Sequence, residues 1–364
     1  MKRQFIYFAG LNWCGTTSLF NTLTLTAKCM HGGFYKEELF LTYLFKYRKL
    51  IKEIGIDNIS LFKEYQELKS YRSHYDQIDV STPGKYYVED TGVELEQELI
   101  DNRKLYCSIL SKFSQDQINK LYSFPPNIQD YIDYHLALHD YMGDEYKYTG
   151  DFNNYNASYS KEELSYIRDH LKEHFEIKVI LIFRDPIRRL FSYYNACQYT
   201  KQSRKDFFIF DQTNYQSATE RFVEKIINNK NSSNIMHTSY GDILRRFYDV
   251  FGKDKVCYLI MEEFFAECHE KKFLYSTQNN QEVSKLEQFL DVSINHTYPC
   301  AFVPDRGIKA PKFYSLPDQS YCDYEVLTPE LYQWARNELN DHYEDFKSMH
   351  GSLPIGWGHP IDYA

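Results

Sequence analysis

The 364-residue sequence has no apolar run long enough to cross a membrane. Its first residues pass from two basic residues into a short apolar stretch, Phe5–Ala9, and then into a glycine turn. A secretory signal needs a longer apolar segment followed by a cleavage site of small residues. We therefore expect a cytoplasmic protein without a membrane span.

Metal-type cysteine spacing and an excess of basic charge are absent as well. The eight cysteines form no C-x-x-C pair, so we expect reduced thiols that mostly pack in the core, and no metal site. The formal net charge of −9 argues against a general nucleic-acid-binding protein, because such proteins carry a basic field. The sequence also shows no internal repeat and no low-complexity tract.

Aromatic residues, in contrast, are abundant. The chain has 34 tyrosines and 26 phenylalanines, although its apolar fraction of 43% is ordinary. One interpretation places these rings in the core and on a tyrosine-rich surface. A second places some tyrosines in a groove for a sugar or an aromatic acceptor, because tyrosine has both a flat face and a hydroxyl.

Three short apolar runs predict buried parallel strands: Phe5–Ala9, Val179–Phe183 and Val256–Ile260. Each run is continuously apolar, as in strands that helices cover on both faces. Helical patterns alternate with the runs, beginning with one from Thr16 onward. We therefore predict an α/β fold with a P-loop-like open parallel sheet and helices on both faces.

Two further helices have recognisable start signals. Ser160 with Glu163 forms a capping-box pattern that predicts a helix to about Glu173. Thr328-Pro329 predicts a helix to about Met349, since a threonine cap is often followed by proline at the first helical position.

The region from about 40 to 148 has no comparable strand run and is rich in Tyr, Lys and Glu. We predict a mostly helical insertion there, with a short strand near Tyr86–Val88. No linker-like segment divides the chain, so residues 1–364 are expected to form one domain.

The first candidate site is a glycine turn between a strand and a helix. Gly10 and Gly15 bracket four residues, which is the frame of a nucleotide phosphate loop. Backbone N–H groups in such a turn converge on one anion, and the hydroxyls of Thr16, Thr17 and Ser18 add donors. The ligand predicted here is a phosphate-type anion.

The lysine that an ATPase carries in this turn is missing, because Gly15 is followed by Thr16. This absence argues against ordinary nucleotide hydrolysis. A nucleotide kinase of the same loop architecture stays open as an alternative, as does a glycine turn that simply begins a helix.

The second candidate site is Arg184, which directly follows a predicted strand. Open α/β sheets bind ligands at the carboxyl ends of their strands, so Arg184 and Ser192 can hold a second anionic group. Asp185 and Pro186 are expected to cap and begin the next helix. At least one of the two arginines that follow, Arg188 and Arg189, is expected on the solvated surface.

Together the two segments resemble the PAPS-dependent sulfotransferase superfamily, where PAPS is 3′-phosphoadenylyl sulfate. Gly10–Thr17 is similar to its first motif, G-x-x-K/R-x-G-T-T, and Arg184–Ser192 matches its second motif, R-D-P-x-x-R-x-x-S. The segments Thr149–Phe152 and Ser239–Leu244 also resemble segments of this family, but more weakly. The resemblance implies a sulfotransferase fold that binds PAPS and moves its sulfuryl group to an acceptor.

The resemblance also implies a set of cofactor-binding residues. The first motif holds the 5′-phosphosulfate, Arg184 and Ser192 hold the 3′-phosphate, and a later basic-glycine loop covers the 3′-phosphate and adenine. The residues assigned on this basis are Asn12, Trp13, Cys14, Gly15, Thr16, Thr17, Ser18, Arg184, Ser192, Tyr240, Arg306, Gly307 and Lys309.

Trp13 departs from the family pattern, which has lysine or arginine at this position to stabilise charge on the leaving oxygen. Another cation can take this role, with Lys36, Lys309 and Lys201 as candidates. Alternatively, Trp13 stacks on the acceptor while backbone N–H groups hold the phosphosulfate. A catalytically silent nucleotide-binding protein is a third alternative.

The acceptor needs a general base within hydrogen-bond reach. Related carbohydrate sulfotransferases use a glutamate in a K-E-x-H-F-F-like stretch, which Tyr35–Phe40 resembles. Glu37 is therefore the candidate base, with Glu38 and His31 in reserve. The expected acceptor is a hydroxyl or amine of a carbohydrate or other small molecule, and the sequence says nothing about the oligomeric state.

Overall fold

The computed structural model describes residues 2–11, 14–34, 40–55, 97–203, 217–229, 239–265, 275–277, 279–297 and 325–359. Its strands are β1 Arg3–Gly10, β2 Met30–His31, β3 Tyr148–Phe152, β4 Phe175–Phe183, β5 Val256–Ile260, β6 Tyr275–Ser276 and β7 His296–Thr297. Its α-helices are α1 Thr16–Asn21, α2 Phe40–Ile54, α3 Gln97–Leu110, α4 Gln115–Leu121, α5 Ile128–Met142, α6 Lys161–Leu171, α7 Pro186–Ser203, α8 Ala218–Asn229, α9 Tyr240–Phe251, α10 Met261–Phe264, α11 Gln281–Leu290, α12 Pro329–Glu338 and α13 Asn340–His350.

The main sheet has five parallel strands in the order β2-β3-β1-β4-β5. The three predicted strands are confirmed as β1, β4 and β5, which lie side by side. β1 occupies the centre, with Phe5 opposite Thr149 of β3 on one side and opposite Ile177 of β4 on the other. The predicted open parallel α/β sheet is therefore confirmed.

Helices cover both faces of β1, because successive side chains of a strand point to opposite faces. On one face Tyr7 packs against Phe247 and Phe251 of α9, with ring centroids 6.4 and 5.9 Å away. On the other face Phe8 stacks on Phe152 with a centroid separation of 3.5 Å, and Phe152 contacts Phe20 of α1. The core therefore extends through both layers of helices.

The sequence analysis did not predict β2 or β3. β3 carries two buried polar residues, Thr149 and Asp151, in place of a continuous apolar run. Helix α5 supplies a hydrogen-bond partner to each: His135 Nδ1 lies 2.9 Å from Thr149 Oγ1, and the Tyr131 hydroxyl donates to Asp151 Oδ2 at 2.8 Å. A polar strand can be buried here because a helix supplies its hydrogen-bond partners.

The predicted helix starts are confirmed. Ser160 and Glu163 form both hydrogen bonds of a capping box at α6. The Thr328 hydroxyl accepts from Leu331 N at the start of α12, but the chain breaks at Leu339, so two helices replace the single one predicted.

Within the predicted insertion, residues 40–55 and 97–147 are mostly helical, whereas the expected strand near Tyr86–Val88 lies outside the described residues. In the part of the chain that the structure describes, no helix combines the length and apolar character that a membrane span requires.

Candidate functional site

The turn after β1 is tight, and two glycines make it possible. Gly15 has φ of +71° at the start of α1, in the left-handed region that glycine adopts without strain. A Cβ on Gly10 would lie 2.7 Å from Cγ2 of Thr16 and 2.4 Å from the Phe8 ring. The end of β1 and the first turn of α1 are therefore in close contact, as the phosphate-loop prediction requires.

The polar side chains at this turn differ in exposure. Thr16 and Ser18 are buried and Thr17 is exposed, whereas Asn12 and Trp13 lie outside the described residues. Helix α1 continues directly into a π-helical turn, Thr22–Thr26, in which the Thr24 hydroxyl donates to the Phe20 carbonyl at 2.8 Å. An exposed hydroxyl and the first amide groups of α1 thus border the mouth of the turn.

Arg184 lies directly after β4 and is 7% exposed. Its Nη1 donates to Ser192 Oγ at 3.0 Å, so the two residues predicted to share one anion are already in contact. Asp185 Oδ1 accepts from the backbone N–H groups of Ile187 and Arg188 at 3.1 and 3.0 Å. The predicted aspartate cap of α7 is therefore confirmed.

The two predicted sites meet at one edge of the sheet. β1 and β4 are parallel neighbours, with Gly10 opposite Ile182, so the segments that follow the two strands leave the sheet at the same edge. Cys14 is buried where they meet: burial raises the pKa of its thiol to about 12, and the positive charges of Arg189 and Arg184 oppose that rise. The glycine turn and Arg184 are therefore neighbours.

Tyr240 supports Arg184 from inside the core. Its hydroxyl donates to the Arg184 carbonyl at 2.8 Å and accepts from Arg189 Nε at 3.1 Å. The ring is fully buried and stacks on Phe183 with centroids 4.7 Å apart. The prediction that Tyr240 contacts the cofactor is not supported by this position, because its hydroxyl is engaged and its ring has no exposed surface.

The expectation that Arg188 or Arg189 lies on the solvated surface is wrong. Arg188 is 7% exposed and Arg189 is 2% exposed. Arg188 Nη2 donates to the carbonyl of His359 at 3.2 Å, and its guanidinium lies 5.7 Å from the Tyr332 ring centroid. Three buried guanidinium groups, including that of Arg184, therefore lie within six residues of chain.

Asp185 and Glu262 supply negative charge next to these arginines. The Asp185 backbone N–H donates to Glu262 Oε1 at 2.9 Å. Burial raises the pKa of Glu262, the charge of Asp185 raises it further, and Arg184 opposes the rise. Asp185 and Glu262 are therefore carboxyl groups of the same cluster as the three arginines.

The second carboxylate oxygen of Asp185 connects the motif to the end of the chain. Asp185 Oδ2 accepts from the hydroxyls of Tyr332 and Tyr343 at 2.8 and 3.0 Å, and from Gly358 N at 3.3 Å. Sequence reasoning missed these partners because more than 140 residues separate them from Asp185. The Thr328-Pro329 signal predicted the helix that carries Tyr332, but no pattern predicted where that helix packs.

His31 is not a general base. Its Nδ1 accepts from Gly33 N at 3.2 Å and its Nε2 bonds to the Tyr106 carbonyl at 3.2 Å, so both ring nitrogens are engaged. Burial lowers the pKa of His31 to about 3, which leaves the ring neutral. The ring stacks on Tyr106 with centroids 3.8 Å apart, and its role is structural.

The other candidate bases, the candidate cations and the predicted cofactor loop lie outside the described residues: Glu37, Glu38, Lys36, Arg306, Gly307, Lys309 and the side chain of Lys201. The two residues that flank the Glu37 segment are described. Phe34 N donates to the Tyr134 hydroxyl at 3.1 Å, and Phe40 stacks on Tyr131 with centroids 5.1 Å apart. Both flanks therefore pack on α5, the helix next to β3.

Asp151 is a buried carboxyl group that the sequence analysis did not assign to the site. Its Oδ2 accepts from Tyr131, and its Oδ1 has no hydrogen-bond partner among the described residues. The nearby Asn156 amide donates to the Phe8 carbonyl at 2.8 Å. Burial raises the pKa of Asp151 to about 7, with hydrogen bonding from Tyr131 and Asn156 acting against the rise.

This raised pKa predicts a specific pH dependence of stability. The folded protein keeps the Asp151 proton up to about pH 7, whereas the unfolded chain loses it near the ordinary value of 3.8, so the contribution is present at low pH and is lost as the pH rises toward 7. Relative to Asp151→Asn, the wild type should lose on the order of 3 kcal/mol between pH 4.5 and pH 8. Urea unfolding of both proteins at the two pH values measures this difference.

Asp144→Asn is the matched control. Because Asp144 is exposed, its replacement should change the free energy of unfolding by the same amount at both pH values. Parallel stability curves for the wild type and Asp151→Asn between these pH values would show that Asp151 titrates at its ordinary pKa.

Comparison with known proteins gives little further information. No protein-family model matches the chain, and no curated protein matches it. Among solved structures, the chain is similar to a sulfotransferase from Alicyclobacillus acidocaldarius, with 14% sequence identity and a TM-score of 0.48 over 98% of this chain and 99% of that chain. We draw no functional conclusion from a likeness at this TM-score and identity.

Proposed function

We propose that the protein is a sulfotransferase that moves a sulfuryl group from PAPS to a hydroxyl or amine of a carbohydrate or other small acceptor. One observation carries this proposal: the glycine turn after β1 and the Arg184–Ser192 pair after β4 are neighbours at one edge of a parallel sheet. PAPS has an anionic group at each end, the 5′-phosphosulfate and the 3′-phosphate. Two adjacent anion sites suit such a ligand.

The two ends of the cofactor are assigned by the donors available. The amide groups at Gly15 and the hydroxyls of Thr16–Ser18 are proposed to hold the phosphosulfate. Arg184 and Ser192 are proposed to hold the 3′-phosphate through a guanidinium fork and a hydroxyl. Because Arg184 already contacts Ser192 and its carbonyl is bonded to Tyr240, little side-chain freedom is lost when the anion binds.

Buried positive charge supports an anionic ligand of this kind. The guanidinium groups of Arg184, Arg188 and Arg189 are buried within six residues of chain. A bisphosphate or phosphosulfate could add charge-assisted hydrogen bonds to such a cluster. Buried arginines concentrated in a chain with a net charge of −9 support a specific anion site and not a generally basic surface.

The proposed reaction is an in-line transfer. The acceptor oxygen or nitrogen forms a bond to sulfur while the bond from sulfur to the bridging oxygen breaks, and 3′,5′-adenosine bisphosphate leaves. Glu37 is the proposed base that takes the acceptor proton, with Glu38 in reserve. The leaving oxygen gains negative charge, which donors at the loop stabilise.

The cation that replaces the loop lysine stays a prediction, with Lys36, Lys309 and Lys201 as candidates and acceptor stacking by Trp13 as the alternative. Arg306, Gly307 and Lys309 are proposed to cover the 3′-phosphate and the adenine. Neither role requires a metal ion.

Incubation with sulfur-labelled PAPS and a panel of sugars, phenols, amines and lipids tests the proposal. The expected result is transfer of label to at least one acceptor with release of the bisphosphate. Tight bisphosphate binding without transfer to any acceptor would favour a silent nucleotide-binding protein. Magnesium-dependent ATP turnover would favour a nucleotide kinase, and failure to bind the bisphosphate would contradict the proposal.

A further inference from the structure

Residues 351–359, here called the clamp segment, return from α13 to the Arg184 motif. Trp357 is 1% exposed, and its indole Nε1 donates to Glu262 Oε2 at 3.0 Å. Gly358 N donates to Asp185 Oδ2 at 3.3 Å and to the Tyr332 hydroxyl at 2.8 Å. The clamp segment therefore contacts both carboxyl groups of the cluster.

These contacts reach Arg184 through a single peptide group. The peptide that joins Arg184 to Asp185 is hydrogen-bonded on both sides: its carbonyl accepts from Tyr240 at 2.8 Å, and its N–H donates to Glu262 Oε1 at 2.9 Å. The orientation of this peptide sets the direction in which the Arg184 side chain leaves the backbone. Glu262 therefore accepts one of the hydrogen bonds that orient this peptide.

Trp357 in turn holds Glu262. One carboxylate oxygen of Glu262 accepts from the Asp185 backbone and the other accepts from the Trp357 indole. The indole ring is itself held by aromatic contacts, with the Phe346 centroid 5.0 Å away and the Tyr240 centroid 5.8 Å away. Removing the indole N–H leaves a buried carboxylate oxygen without this donor, which favours another orientation of the carboxylate.

We propose that Trp357 and Glu262 are positioning residues for the Arg184 anion site, so that the clamp segment and the 3′-phosphate of the nucleotide are energetically coupled. This inference rests on the proposed function, because it concerns the same Arg184–Ser192 site. Neither residue needs to touch the ligand. Their effect is to fix the peptide that aims Arg184.

Coupling of this kind is reciprocal. If the clamp segment orients Arg184, a nucleotide that engages Arg184 must stabilise the clamp segment to the same extent. The bisphosphate is therefore expected to slow hydrogen exchange at Gly358 N–H and Trp357 N–H, whereas 5′-AMP, which lacks the 3′-phosphate, should leave their exchange unchanged.

Trp357→Phe tests the role of the indole N–H while keeping an aromatic ring. The dissociation constants of 3′,5′-adenosine bisphosphate and 5′-AMP are measured by calorimetry for wild type and variant. We expect the variant to bind the bisphosphate about 5–20-fold more weakly and to bind 5′-AMP as well as the wild type does, because loss of one buried hydrogen bond affects the 3′-phosphate site alone.

Ile355→Ala is the matched control, because Ile355 lies in the same segment and is 84% exposed. It should leave both affinities unchanged. Glu262→Gln is a second variant for the case in which Trp357→Phe fails to fold. Its amide nitrogen places a donor opposite Trp357 Nε1–H or Asp185 N–H, which are donors themselves. It should therefore also weaken binding of the bisphosphate and leave binding of 5′-AMP unchanged.

The outcomes separate the inference from the function on which it rests. If the variants bind both nucleotides as the wild type does, or bind both more weakly by the same factor, the positioning role is overturned and the proposed function stays intact. A wild type that binds neither nucleotide overturns the proposed function and the inference with it. Selective loss of the bisphosphate supports both.

Discussion

Arg184→Ala is expected to lower the affinity for 3′,5′-adenosine bisphosphate by about 100-fold or more. The guanidinium lies at the carboxyl end of β4, in contact with Ser192 and next to the buried Cys14 of the glycine turn. Hydrogen bonds to a charged group contribute about 1.5–3 kcal/mol each, and a guanidinium can make two of them to one phosphate. Isothermal titration calorimetry with the bisphosphate measures the loss.

Two comparisons show whether this loss is specific to the site. Arg184→Lys keeps the charge but not the planar fork, so we expect a loss of about 10-fold, between wild type and alanine. Arg168→Ala replaces an arginine of α6, the helix that leads into the amino end of β4, and should not change the affinity. An Arg184→Ala protein that binds the bisphosphate as tightly as the wild type would contradict the assigned cofactor site.

Asp185→Ala is expected to cause the largest loss of stability, about 3–5 kcal/mol of the free energy of unfolding. Asp185 is fully buried and its two carboxylate oxygens accept five hydrogen bonds. Its donors are Ile187 N, Arg188 N, the Tyr332 and Tyr343 hydroxyls and Gly358 N. Alanine removes the shared acceptor of these donors, of which Gly358 N still has the Tyr332 hydroxyl, and it removes the negative charge beside three buried arginines.

Urea unfolding followed by circular dichroism measures this loss. Asp185→Asn can still cap α7 through its amide oxygen but presents an amide donor to the tyrosine hydroxyls, so we expect an intermediate loss. Asp249→Ala is the control, because Asp249 pairs with Lys161 on the surface, where both side chains are more than half exposed, and it should cost less than about 1 kcal/mol. An Asp185→Ala protein as stable as this control would show that the buried network contributes little.

The central strands could be predicted because burial on both faces requires an unbroken apolar run. Phe5–Ala9 and Val179–Phe183 satisfy that requirement by themselves, and they form most of β1 and the carboxyl-terminal half of β4. β3 could not be predicted in the same way, since Thr149 and Asp151 are buried only because α5 brings His135 and Tyr131 to them. A strand whose polar groups are satisfied by distant residues has no local pattern of its own.

The two turns proposed as anion sites were predictable for a related reason. The Gly10–Gly15 spacing and the Arg184–Ser192 motif are short segments whose backbone geometry depends on neighbouring residues, and the described parts of both have the expected conformation. The exposure of Arg188 and Arg189 was predicted wrongly, because a basic pair after a strand is typical of a surface. Their burial depends on Tyr240 and His359, which are distant in sequence.

The sequence by itself determined three of the five parallel strands, the helix starts and the residues of the two turns, since these depend on backbone preferences and on apolar patterns within about ten residues. The tertiary structure decided that the two turns share one edge, that His31 is a neutral core residue, and that Asp185 and Glu262 connect Arg184 to the clamp segment. Those arrangements depend on which distant donors and acceptors come together when the helices pack. A local sequence pattern does not specify these contacts between distant residues.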